Sequence, residues 1–532
     1  MSKTVYSLGM EFSTQSVKLV LLDLHKKEVV LTSKFDYDTT FPLYKTNGGV
    51  LQCSDSKIRH TSPYLLIEAL DYAFQSLLHQ KINLSEIYAI KVDAMQHCTV
   101  YTNSSFKQKL GLLNHNKQLL EQLKSTISRQ TSPIWEDRST IKEVEILTDI
   151  LKKEGGINNL TGNRAELRFP ASQIMKWAKE SPKEYNETEN IFLLSAFITS
   201  LLSGKISPVD TGDGWGTNLN DLNIKEPKWN KKVIKILNLY LKKLGLKTSL
   251  EEKIGKIVHY DTKIGKISSY FVKKYGVNKD AIILAGTGDN PATLLGCGGN
   301  IVISLGSSYT VNGVMEKIVP SINGEYNIFG YTKNKAMSLM CITNGGKVHE
   351  YFLRKYIVND REITKTDWSE YIKKTGNYLL DKKEYLMLPY LMDESVPLHK
   401  KGFVREGFDE NNAEINIRSL HISQVLGLKL HSCHLSNVDN ICIVGGGSKN
   451  KFLRQLITDV FNVKTYSIKN SDYAAALGCA ISGAKYLLNI TYKEAANRFV
   501  QKDLSTFLKP IKENVIIAKT LLSRYSKLEK QS

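Results

Sequence analysis

The sequence predicts an α/β protein built as two large domains, and three observations carry that expectation. The chain has 532 residues, more than one hydrophobic core ordinarily serves. Apolar runs of strand length alternate with stretches of helical periodicity along most of it. A short hairpin pattern at the start returns near the middle, which points to two halves of related architecture. Composition agrees: 42% apolar and 23% charged residues are those of an ordinary globular protein, which excludes disordered, collagenous and coiled-coil classes.

The elements follow in order. "YSLGMEFSTQSVKLVLLD" at 6–23 is an apolar strand with a Gly and the lone carboxylate Glu11, a hydroxyl-rich turn, and a second apolar strand. A helix is predicted over 62–79, a strand over 87–95, helical segments between 116 and 205, and a strand over 281–290. The hairpin pattern returns as "NIVISLGSSYTVNGV" at 300–314, where Ser304-Leu305-Gly306 repeats Ser7-Leu8-Gly9. At 440–461 an apolar strand, three glycines and a helix opened by Ser448 follow one another. Glycines let backbone approach a ligand and a helix N-terminus offers unpaired N–H groups, so this order suits a nucleotide. It is neither a Walker A loop nor a Rossmann G-x-G-x-x-G.

Other patterns exclude function classes. The seven cysteines (Cys53, Cys98, Cys297, Cys341, Cys433, Cys442 and Cys479) are odd in number, scattered and without a C-x-x-C, which argues against a disulfide framework or a zinc clip. "HSCHLS" at 431–436 lacks a second ligand pair and reads as a helix surface or a buried thiol. The helix-like apolar run at 191–204 is too short to span a bilayer, and "MSKTVYSLGM" has no apolar core of signal-peptide length. The S-K-L of the tail is not at the end, where a peroxisomal address must stand. The net charge of +19 is spread along the chain rather than clustered. In the most basic stretch, 228–247, Val233, Ile236, Leu237, Tyr240 and Leu244 form one helical stripe, so the lysines make a solvated outer face. The expectation is a soluble cytoplasmic protein with no nucleic-acid or membrane partner, whose charge favours an anionic substrate.

"LGMEFSTQSVK", "MQHC", "TGDNPATL", "SLGSSYT" and "VGGGSKN", in that order, resemble the FGGY carbohydrate kinases. "FPLYKTNGGV", "RQTSPIWEDRST", "TGNRAELRFPASQIMK" and "SPVDTGDGWGTNL" are similar to the eukaryotic xylulokinase subgroup of that family. The resemblance implies two actin-like (ribonuclease H-like) domains with an active-site cleft between them. Residues 1–297 would hold the sugar, and 298–532, with a helical tail, the nucleotide. It implies transfer of the ATP γ-phosphate to the 5-hydroxyl of D-xylulose with Mg²⁺ as cofactor, in a monomer or homodimer. Another family substrate such as ribulose or glycerol, or a catalytically weak binding relative, is the alternative.

Phosphorylating a hydroxyl needs a base, a metal on the phosphates and firm positioning of both substrates. By resemblance Asp289 is the general base, and His97, Arg168 and Asn290 join it in contacting the sugar. Ser307 and Ser308 meet phosphates, Gly345 and Gly346 close the phosphate pocket, and Gly445, Gly446, Gly447 and Asn450 flank the adenosine. Glu11 stands where the family places a Mg²⁺-facing Asp. Met95 and Cys98 replace the usual residues around Gln96-His97, and Tyr309 replaces an Asp or Thr. These departures bear on sugar affinity and metal handling.

Overall fold

Each of the two hairpins seeds a mixed sheet. The computed structural model describes residues 4–246, 249–332, 334–358, 361–435 and 438–532. Lys247, at the end of the basic stretch, and Ser436, at the end of "HSCHLS", lie outside them. The chain forms two compact units. The first comprises Met1–Gly298, Lys317–Met337 and Tyr473–Val500, and the second Gly299–Glu316, Ser338–Asp472 and Gln501–Ser532. A single division at 297/298 therefore does not describe them, because two later segments fold back onto the first unit.

In the first unit β1 (Tyr6–Phe12) and β2 (Ser16–Asp23) form the antiparallel hairpin, and β3 (Glu28–Asp36) extends it. Ser7 to Phe12 are all buried, because this strand is covered on both faces. Helix α1 (Pro63–His79) matches the predicted stretch, and the structure adds the reason for its start: Ser62 Oγ accepts from the Leu65 N–H and Pro63 occupies the first turn. Strand β4 (Ile87–Ala94) runs parallel to β1. Helix α2 (Lys231–Lys243) buries Val233, Ile234, Leu237 and Leu241, with Ile236, Tyr240 and Leu244 partly buried beside them. Its lysines face solvent as predicted; the fully buried stripe keeps Val233 and Leu237 and adds Ile234 and Leu241.

The predicted strand 281–290 is broken into β6 (Ile282–Leu284) and β7 (Thr287–Gly288), after β5 (Lys263–Lys266) and before α3 (Asp289–Gly296). At the break Gly286 packs so tightly that a Cβ would lie 2.5 Å from the Ser195 carbonyl oxygen. The sheet order is β5-β6-β4-β1-β2-β3, with β7 also on β4. The apolar run 191–204 is likewise two elements, a strand Thr188–Leu193 and a helix Leu194–Ser203, since the β-branched and aromatic half pairs with Thr99–Asn103.

The second unit repeats the plan. Strands β8 (Ile301–Leu305), β9 (Tyr309–Met315) and β10 (Ala336–Ile342) precede helices α4 (Gly346–Leu353), α5 (Lys365–Lys373) and α6 (Ala413–His431). Then come β11 (Asn440–Val444), α7 (Lys451–Phe461) and β12 (Lys464–Ile468). The order is β10-β9-β8-β11-β12, with Lys502–Leu508 antiparallel at the far edge. Strand β8 is antiparallel to β9 and parallel to β11, as β1 is to β2 and β4. The helix after the three glycines is opened by Asn450, not Ser448: Asn450 Oδ1 accepts from the Leu453 N–H at 3.1 Å, while Ser448 Oγ donates back to Gly445.

Helix α8 (Ala474–Leu488) then returns to the first sheet. A Cβ on Gly9 would lie 2.6 Å from the Ala480 nitrogen, and one on Gly296 would lie 2.9 Å from the Gly478 nitrogen. Glycine and alanine thus let α8 touch β1 and α3 backbone to backbone, and Ser7 Oγ donates to the Ala480 carbonyl at 2.7 Å.

Candidate active site and nucleotide pocket

Strand register builds the first site. Glu11 pairs with Asp93 across the parallel β1–β4 ladder, and Thr287 pairs with Asp93 across β7–β4. Asp289 follows two residues on, in the first turn of α3. Across the hairpin Lys18 sits opposite Glu11 and donates from Nζ to Glu11 Oε1 at 2.9 Å. Burial, then the Glu11 charge, pushes the Asp289 carboxyl up to about 7. Burial and the charges of Glu11 and Asp289 push Asp93 well above the carboxylate range. Cys479 Sγ donates to Asp93 Oδ2 at 3.4 Å, while the buried Oδ1 has no hydrogen-bond partner among the described residues.

Asp93 went unnoticed in the sequence. Its only signal was a carboxylate near the end of the apolar strand "IYAIKVDAM".

A hydrogen-bonded chain orients the neighbouring side chains. Gln96 Nε2 donates to the Gly212 carbonyl at 3.0 Å, and Asn290 Nδ2 donates to Gln96 Oε1 at 2.6 Å and to Asp289 Oδ1 at 3.0 Å. His97 adopts φ 70°, a left-handed backbone rare for a bulky residue and often seen at functional sites. Its ring stacks on Phe169 at 4.3 Å, and Nδ1 lies 2.8 Å from the Gly216 carbonyl. A carbonyl only accepts, so Nδ1 carries the proton and Nε2 keeps its lone pair. Burial, then the Arg168 charge, holds His97 well below its usual pKa, hence neutral. Arg168 is steadied by Glu166 Oε2 at 3.3 Å and Asn327 Oδ1 at 3.4 Å.

Below this layer the wholly buried Lys91 donates to the Tyr260 and Ala285 carbonyls, each at 2.6 Å, and lies 3.9 Å from Asp210 Oδ2. It ties the strand leading to Asp289 to Asp210, which caps the helical turn that supplies Gly212. Glu11, His97, Arg168, Asp289 and Asn290 all lie in the first unit. Among the described residues no group of three or more His, Cys, Asp and Glu side chains is arranged to hold a metal ion by itself.

The second unit holds a pocket of about 830 Å³. Gly306 and Ser307 after β8 form one wall, Gly446, Gly447 and Asn450 another, and Trp368, Tyr371 and Ile372 of α5 a third. Lys347, Lys365 and Lys449 add cations to the lining. Ser308 and Gly345 do not reach the surface of this pocket; they pack on each other, a Cβ on Gly345 lying 2.7 Å from the Ser308 carbonyl carbon. Gly346 N–H donates to the Gly306 carbonyl at 3.0 Å, which joins the two turns. Gly445 has φ 86°, so a residue with a Cβ is strained there.

The model of the N-terminal domain of the FGGY family of carbohydrate kinases matches residues 6–296, and that of the C-terminal domain matches residues 301–486. The chain belongs to the FGGY family of carbohydrate kinases. It is 30% identical to the xylulose kinase of Mus musculus, over 98% of this chain and 94% of that protein. It is 28% identical to xylulose kinase 2 of Arabidopsis thaliana, over 90% of this chain and 86% of that protein. The ligand-bound xylulose kinase of Lactobacillus acidophilus shares its fold, with a TM-score of 0.79 at 19% identity, covering 99% of this chain and 98% of that one. Among the described residues of this carbohydrate kinase no helix is long and apolar enough to cross a membrane.

Proposed function

We propose that this carbohydrate kinase transfers the γ-phosphate of ATP to the 5-hydroxyl of D-xylulose, giving D-xylulose 5-phosphate. The similarity to proteins named xylulose kinase along nearly the whole chain supports the sugar. The observation that carries the chemistry is Asp289, a partly buried carboxyl poised at about 7 beside oriented polar side chains. A base of that pKa accepts a hydroxyl proton efficiently near neutrality. His97 Nε2 accepts a hydrogen bond from a second hydroxyl, Asn290 Oδ1 accepts from another because both of its N–H bonds are already engaged, and Arg168 donates, which fixes the reacting oxygen against Asp289. Asp289 takes the proton as that oxygen attacks the γ-phosphorus, and ADP departs.

In the second unit the N–H groups around Gly446 and Gly447 and the Ser307 hydroxyl receive phosphates, while the apolar wall of α5 takes the base. Mg²⁺ needs only one or two carboxylates besides phosphates and water; Glu11 would supply one, and Asp93, whose Oδ1 has no partner among the described residues, would supply a second once its proton is displaced. Bound there, the ion neutralises phosphate charge. A coupled ADP-release assay across ketoses and polyols tests the proposal. D-xylulose is expected to give the highest kcat/KM; preference for ribulose or glycerol would reassign the sugar, and no turnover on any would overturn kinase action.

A further inference from the structure

Behind the nucleotide pocket lies a buried polar array whose every donor and acceptor can be assigned. Gln424, on α6, donates from Nε2 to the Asn344 carbonyl at 2.7 Å and to the Gly345 carbonyl at 3.1 Å. Its Oε1 is therefore the acceptor for His349 Nε2, 2.6 Å away, so that nitrogen carries the proton. His349 Nδ1 must then accept, and Tyr371 Oη donates to it at 2.9 Å. The ring of His421 lies 4.4 Å from that of His349. His421 Nδ1 donates to the Ile417 carbonyl at 2.7 Å, which leaves Nε2 to accept from Asn450 Nδ2 at 2.9 Å.

The same turn is gripped from its other side. Glu394, buried, accepts from the N–H groups of Thr343 and Asn344 at 2.6 and 3.0 Å. Asn344 Oδ1 accepts in turn from the Met392 N–H at 3.0 Å. Tyr371, His349 and Asn450 line the pocket, whereas Gln424 and His421 do not.

We propose that Gln424 and His421 are positioning residues for the nucleotide: they set the spacing of the 344–346 turn, the 446–450 turn and α5 without touching the ligand. The inference rests on the reading of this pocket as the nucleotide site. Both residues occupy a fully satisfied buried network, where losing one partner leaves the others unpaired and lets the attached segment shift. The ligand then meets a pocket whose walls are misplaced, while the sugar site, built by other residues, is unaffected.

The test is calorimetric titration with Mg·ADP, together with KM values for ATP and D-xylulose. His421→Leu and Gln424→Leu, which keep volume and remove hydrogen bonds, are expected to bind ADP at least tenfold more weakly and to raise KM for ATP, with KM for D-xylulose changed less than twofold. His421→Gln, whose amide oxygen can still accept from Asn450, is expected to bind within threefold of the native protein. Tyr371→Phe, a one-atom deletion that preserves the ring, is expected to weaken ADP about threefold and serves if the leucine variants do not fold. Native-like ADP affinity in the leucine variants, or in Tyr371→Phe when those do not fold, would overturn the inference. So would His421→Gln binding as weakly as His421→Leu. A native protein that binds no ADP would overturn the nucleotide reading and the inference together.

Discussion

The two units share a strand order but differ in what they place where their first hairpin turns. In the first, the strand ends carry the buried Glu11 and Asp93, with the partly buried Asp289 in the helical turn that follows, three carboxyl groups crowded enough to perturb one another. In the second, the equivalent turn carries Gly306 and Ser307, and the surrounding turns are glycine. One scaffold therefore supplies a cluster of titratable carboxyl groups at one copy and exposed backbone at the other. The first arrangement suits proton transfer and a metal; the second suits phosphates and a base. A duplicated fold is a frame, and chemistry follows from the few side chains at its strand ends.

The contrast can be broken most severely at Asp289. Asp289→Asn keeps the hydrogen-bonding shape but cannot take a proton, so kcat is expected to fall by about two orders of magnitude or more with sugar binding little changed. Steady-state kinetics with calorimetric sugar binding checks this, and near-normal turnover removes Asp289 as the base. Next comes Glu11→Ala, which is expected to raise the Mg²⁺ requirement on the order of tenfold and to lower kcat, with Glu11→Asp retaining activity. Mg²⁺ titrations of the rate, and of Mg²⁺ binding in the presence of ADP, separate the two variants.

In the glycine-built unit, Gly345→Ala places a Cβ 2.7 Å from backbone and is expected to lower thermal stability as well as nucleotide affinity. Gly446→Ala meets nothing within 4 Å and is expected to leave stability unchanged while weakening ADP severalfold. Melting curves with and without ADP distinguish them.

The smallest effects are in pH. With Asp289 as base at about 7, kcat/KM is expected to fall as pH drops below that value, and Glu11→Gln, by removing a negative charge, moves the limb to lower pH. Stability carries opposite signs at the raised acids and at the lowered histidines. Asp289 and Asp210, both raised to about 7 chiefly by burial, hold protons that the unfolded chain has released. Their contribution is present below about pH 4 and is lost as pH rises through about 7. His421, lowered by burial to about 4, acts the other way, with stability present above about 6.5 and lost as pH falls towards 4. Hydrogen exchange at pH 5 against pH 7 is expected to show the region around His349 and His421 loosening at the lower pH.

Much of this was legible in the sequence because it is local. The hairpins, the helix over 62–79, the glycine turns and the Asp289 motif each declare themselves within one short continuous stretch of chain. Asp93 became visible only when the β1–β4 register set it against Glu11, a pairing 82 positions apart that no spacing encodes. The left-handed backbone of His97 and the donor assignments of Gln424 and His421 likewise arise from tertiary contacts. The split of 281–290 into two strands and a helix start followed from packing against Ser195 and Thr199, which overrode the β propensity of the run.

Helix α8 carries a consequence for how this protein is made. It covers β1 and α3 and contributes the thiol against Asp93, yet it lies roughly 190 residues beyond the end of α3. A ribosome adding about 5–20 residues per second needs on the order of ten seconds or more to deliver it, and during that time the first sheet lacks its covering helix. The nascent first unit is therefore an aggregation-exposed intermediate. A fragment ending at Gly298 lacks both later segments of the first unit, Lys317–Met337 and Tyr473–Val500, and is expected not to fold as an independent domain.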